Sequence, residues 1–144
     1  MPRRAARRLG RALGRRGAFL LSFGMVWGLI GYGQLVSPQP DQRGLKLLLN
    51  RVPLEVWGWL WITAGAVAIL SAFLRQGSDR FGFFALSLMV TPWIVSYLVA
   101  WGQGAFPRGW IASALYGGLA IGIMVVAGWG EPPRPKREEP PYDA

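Results

Sequence analysis

The chain has neither cysteine nor histidine, and only 7 acidic residues against 16 basic ones. Without cysteine there is no disulfide, no thiol nucleophile and no thiolate site for zinc or an iron–sulfur cluster. Without histidine the usual general base and the usual haem or zinc ligand are missing. No phosphate-binding glycine loop, carboxylate pair or nucleophile constellation is present either. The expectation is a protein that is not an enzyme, with no catalytic, cofactor-binding or metal-ligating residue to nominate.

A second absence says more. The runs Ala18–Val36, Val56–Leu74, Phe81–Trp101 and Trp110–Trp129 hold no acidic or basic side chain. Each is close to the roughly 20 residues that carry a helix across about 30 Å of hydrocarbon. Only 16% of the residues are charged, and those are crowded into the gaps. A backbone crossing lipid must satisfy its own hydrogen bonds, as a helix or a closed barrel does. The runs lack the two-residue alternation of barrel strands. The predicted fold class is therefore all-α: a polytopic membrane protein with four transmembrane helices. Coupled transport generally needs an ionisable group at membrane depth, and these runs offer none.

The gaps divide the chain into an Arg-rich segment over 1–16, a bundle over 17–130 and a Pro-rich tail over 131–144 that reads as disordered. The first segment carries Arg3, Arg4, Arg7, Arg8, Arg11, Arg15 and Arg16 and no acid. Arg3, Arg7, Arg11 and Arg15 share one helical face, while Gly10 and Gly14 weaken that helix. This pattern predicts a positive-inside anchor touching anionic headgroups, each arginine contributing on the order of 1 kcal/mol. Nucleic acid is disfavoured as a partner, because no aromatic residue among the arginines could stack a base. The apolar run that follows continues through Val36 without a good cleavage site, so it reads as a retained span rather than a signal peptide.

Ser37-Pro38-Gln39-Pro40 stops the first helix. In the outer segment 37–53, Leu45, Leu47, Leu48 and Leu49 lie among Arg43, Lys46 and Arg51, which predicts a short interfacial helix lying on the membrane. Pro53 and Glu55 suit the start of the second span. The short gap Arg75–Arg80 makes the second and third spans antiparallel neighbours. With both termini inside, Lys and Arg divide twelve inner to four outer. The positive-inside rule thus places both termini in the cytoplasm. Trp57, Trp59, Trp101 and Trp110 then fall at the outer interface and Trp129 at the inner one.

Lipid supplies no hydrophobic force between helices, so small residues that admit close backbone approach mark the contact faces. Gly24 and Gly28, then Ala64, Ala68 and Ala72, then Ala114, Gly118 and Gly122 recur at four-residue spacing. They read as seams within the chain or as faces of a homo-oligomer, and the spacing does not separate the two. Pro92, beside Thr91 and ahead of Ser96 and Tyr97, predicts a bend whose freed backbone groups neighbouring hydroxyls can reclaim. Lining a ligand cavity is its alternative role.

Trp57-Gly58-Trp59-Leu60-Trp61, Gly82-Phe83-Phe84-Ala85-Leu86, Trp93 with Tyr97 and Trp101, Arg108-Gly109-Trp110, and Ala127-Gly128-Trp129 before Glu131-Pro132-Pro133 form a tryptophan-rich interface pattern over about residues 17–133. In this the chain resembles the small four-span membrane proteins encoded by actinobacteria and by their phages and prophages. The resemblance implies a bacterial cytoplasmic-membrane protein, of chromosomal or phage origin, and supplies no activity. The expected mode of action is helix packing and assembly, as in a holin that oligomerises into membrane lesions. The alternative is an accessory or scaffold subunit of a larger membrane complex. The expected partners are a bilayer with anionic headgroups and either further copies of the chain or an unidentified membrane protein.

Overall fold

The computed structural model describes residues 2–38, 41–74 and 79–130, with side chains from Gly14 onward. The elements are α1 (Pro2–Val36), a 3-10 turn (Arg43–Leu45), α2 (Lys46–Leu49), α3 (Leu54–Ala72), α4 (Arg80–Gly102) and α5 (Gly109–Ala127). No strand occurs among the described residues. Gly14–Val36 of α1 has 23 residues, α3 has 19, α4 has 23 and α5 has 19, and each is apolar enough to cross a membrane. At about 1.5 Å per residue their lengths bracket the hydrocarbon thickness of about 30 Å. The chain is an all-helical integral membrane protein with four spans. The Pro-rich tail over 131–144 and most of the turn after α3 lie outside the described residues.

The helix ends follow local chemistry. Gly14 stands at φ 69° and ψ 179° inside α1, a conformation open essentially to glycine alone. It breaks the axis between the Arg-rich segment and the first span. At the other end of the bundle Pro53 is extended and caps α3. Gly104 takes a positive φ of 69° after α4. Its N–H donates to the Trp101 carbonyl at 2.9 Å, and the Ala105 N–H donates to the Ala100 carbonyl at 2.9 Å. This is the Schellman closure, which satisfies the last carbonyls of a helix.

Three spans bury residues at alternating steps of three and four. In α1 these are Gly17, Leu20, Gly24, Trp27 and Gly31; in α3, Gly58, Trp61, Gly65, Ala68 and Ala72; in α4, Gly82, Leu86, Met89, Trp93, Ser96 and Ala100. That step is the heptad pattern of helices crossing at about 20°. α1 and α3 form the most extensive pairing, α4 packs on α3, and α5 packs on α4. The bundle thus grows by each span leaning chiefly on the one before it. The Arg16 guanidinium reaches the Trp129 carbonyl at 3.2 Å, so the start of the first span and the end of the last lie at the same end of the bundle.

The turn and α2 pack closely on the end of α4. Gly44 and Leu45 are buried, and Leu48 and Leu49 pack against the core. The Ser96 hydroxyl of α4 donates to the Gly44 carbonyl at 2.9 Å in a buried hydrogen bond. A Cβ at Gly44 would collide with the Tyr97 ring, so only glycine lets the segment sit this close to α4. Leu45, Leu48 and Leu49 turn toward the bundle, while Leu47 stays exposed. The segment is a cap on the bundle.

Candidate functional site: the helix seams and the two bundle ends

The α1–α3 seam is built from glycines seven residues apart on each helix. A Cβ placed on Gly65 would come within 2.5 Å of the Gly24 carbonyl oxygen, and one on Gly31 within 2.5 Å of the Gly58 carbonyl oxygen. Gly24 therefore faces Gly65 and Gly31 faces Gly58, in the antiparallel register of two adjacent spans. Backbones this close gain dispersion and weak Cα–H···O contacts along their length. Gly28 has open space where its Cβ would be, yet its own backbone N lies 2.9 Å from a Cβ built on Gly65. It contributes backbone to the seam rather than needing to be glycine there. Ala64, Ala68 and Ala72 are buried in the core.

The third stripe behaves differently. Ala114, Gly118 and Gly122 are exposed on α5, and a Cβ on Gly118 or Gly122 would meet nothing within 4 Å. Leu115, Ile121 and Val125 are exposed beside them, at 67%, 64% and 52%. α5 holds to α4 by its opposite face, where the Ser113 hydroxyl donates to the Ile94 carbonyl at 2.9 Å. A Cβ on Gly109 would strike the Tyr97 carbonyl. The α5 stripe is thus a small-residue face left open by the chain's own packing.

An aromatic ladder runs through the core. Phe19 stacks on Phe23 at 4.2 Å, Phe23 meets Trp27 at 5.5 Å, Trp27 meets Trp61 at 5.2 Å, and Trp61 meets Trp93 edge-on at 5.2 Å. Trp57 closes on Trp93 at 5.0 Å, also edge-on. Each such pair adds about 0.5–1.5 kcal/mol beyond area burial. The ladder ties α1, α3 and α4 through one continuous set of rings. The four-residue spacing marks Gly24 and Gly28 of the seam but neither Gly31, Gly58 and Gly65 nor the aromatic ladder. The seven-residue repeats Gly24/Gly31 and Gly58/Gly65 carry the signal for the seam.

At the end holding the described termini, the Arg16 Nε lies 2.8 Å from Oδ2 of Asp79. Its guanidinium also lies 5.1 Å from the Phe83 ring centroid. Asp79 is buried. Arg16 thus joins the starts of α1 and α4 to the end of α5. Arg15 is exposed. The side chains of Arg3, Arg4, Arg7, Arg8 and Arg11 lie outside the described residues.

At the capped end, a cavity of about 320 Å³ opens between the cap and the four spans. Gln34, Ser37, Gln42 and Tyr116 supply its polar lining and Trp93 part of its wall. Gln34 presents a buried Oε1. The cavity can hydrogen-bond a neutral molecule, but its described lining offers no carboxylate or amine for proton transfer. Nearby, Pro92 interrupts α4, and the Thr91 hydroxyl donates to the Ser87 carbonyl at 3.0 Å. The Ser96 hydroxyl donates to the cap instead, at the Gly44 carbonyl. No group of His, Cys, Asp or Glu among the described residues could hold a metal ion. No family model, curated protein or solved structure matches the chain.

Proposed function

We propose that the chain is a non-enzymatic protein of a bacterial cytoplasmic membrane that acts by lateral assembly, in the manner of a holin. The end carrying Arg16 and Trp129 faces the cytoplasm in this reading, as the distribution of basic residues requires. The observation that carries the proposal is the open Ala114–Gly118–Gly122 face of α5. In lipid, such a face is worth more against another backbone than against acyl chains. The same residue types are consumed in the α1–α3 seam, whereas those of α5 stay open.

The chain lacks cysteine, so a single engineered thiol reports unambiguously. Gly118→Cys in isolated membranes should oxidise to a dimer of the chain, whereas Leu70→Cys, also exposed but on α3, should not. Induced expression of the unmodified chain should stop growth and depolarise the cells. Cross-linking of Gly118→Cys to a different protein, with growth sustained at high expression, would replace this reading with that of an accessory subunit.

A further inference from the structure

Between the cap and the last turns of α4 lies a groove of about 310 Å³. Arg43, Lys46, Leu47 and Asn50 form one wall, at the spacing that places residues on a single helical face. Ser96, Val99, Ala100 and Gln103 form the other, at the same spacing on α4. The groove is chemically divided. Lys46, Arg43, Asn50 and Gln103 give it two cations and two amides, while Leu47, Val99 and Ala100 give it an apolar floor. Ser96 adds no free donor, because its hydroxyl is taken by Gly44.

Arg43 is already engaged. Its Nε and one terminal nitrogen donate to the two carboxylate oxygens of Asp41, at 3.0 and 2.9 Å. Lys46 has no such partner among the ion pairs of the described residues, and it supplies the net charge of the groove. Its depth is set by Trp101, which is 49% exposed in the last turn of α4. Tryptophans so placed mark the headgroup level of a bilayer.

We infer that this groove holds one phospholipid, with its phosphate on Lys46, Asn50 and Gln103 and its glycerol and upper acyl chain along Leu47, Val99 and Ala100. An apolar floor continuous with the spans suits a lipid and is wasted on a free phosphate ion. The site differs from the Arg-rich segment in leaflet, in residues and in stoichiometry.

The test is native mass spectrometry of the full chain released from phosphatidylcholine nanodiscs containing phosphatidylglycerol. The Arg-rich segment contributes equally in every variant. Lys46→Ala should reduce retained phosphatidylglycerol about ten-fold, the loss of one hydrogen bond to a charged group. Arg51→Ala removes the same charge from the cap outside the groove and should change retention less than two-fold. Asn50→Ala, which leaves the charge untouched, should lower retention as well. Equal losses in Lys46→Ala and Arg51→Ala would reduce the site to diffuse surface charge and overturn the inference. Displacement of the lipid by millimolar inorganic phosphate would overturn the lipid assignment.

Discussion

The α1–α3 seam and the α5 face are written in the same residues and end in opposite states. Gly24 and Gly65 leave no room for a methyl group, whereas Gly118 and Gly122 have nothing near them. The difference lies in what stands opposite. α1 and α3 bring matching glycines at a seven-residue repeat, so two backbones can close along several turns. α5 follows α4 and rests on it by Gly109, Ser113 and Ile123, which leaves its own small residues on the far side. A small-residue stripe therefore predicts close approach only when a second stripe faces it in register.

The sharpest way to break this comparison is one substitution made in both places. Gly65→Leu should abolish the folded bundle. Its Cβ alone would overlap the Gly24 carbonyl, and overpacking costs about 3 kcal/mol even where neighbours can yield. Gly118→Leu should leave the thermal stability of the detergent-solubilised monomer unchanged while weakening its self-association. Equal melting temperatures for the two variants would erase the distinction between seam and face.

The second test asks whether the seam or its end holds α1 in place. Asp79→Ala leaves Arg16 without its carboxylate in a half-buried site, and breaking such a pair costs about 3 kcal/mol. Thermal unfolding should report that loss, with Arg16→Ala falling by a similar amount. A loss below about 1 kcal/mol would assign the work to the glycine seam alone.

Ser96→Ala should cost about 1 kcal/mol, the net worth of one hydrogen bond. Hydrogen exchange should accelerate over residues 43–49 and stay unchanged in α1 and α3. The smallest effect belongs to Asp41, whose carboxyl is held down at about 2 by the hydrogen bonds it accepts from Arg43. Its depressed value means that the cap keeps this pair from neutral pH down past the ordinary carboxylate range and loses it as pH falls through about 2. Spectroscopic titration of Asp41 should show no protonation between pH 7 and pH 4. A midpoint near pH 4 would show that the pair does not form.

Much of this was legible in the sequence for a simple reason. Charge exclusion from four runs is a strong one-dimensional signal, and lipid forces each run to be a helix. Pro38 and Pro53 likewise mark boundaries by their own backbone geometry. The site was less legible because it depends on pairs. Gly31 and Gly58 look ordinary until each is set opposite the other, and Trp93 becomes a hub only once Trp57 and Trp61 arrive from another span. The packing of the cap was the least legible part. Its leucines and cations match an interfacial helix, and only Gly44 beneath Tyr97 and the buried Ser96 bond turn it inward.

The Arg16 cluster also has a consequence in time. Ribosomal synthesis delivers the first span early, but Asp79 and Phe83 emerge only with α4, and the Trp129 carbonyl only after α5. Until then a cation near the membrane surface lacks the partners it ends with. Completion of insertion is thus registered at the start of the first span. A chain halted after α4 would hold the ion pair but not the last bond, and would differ from the finished protein at that arginine.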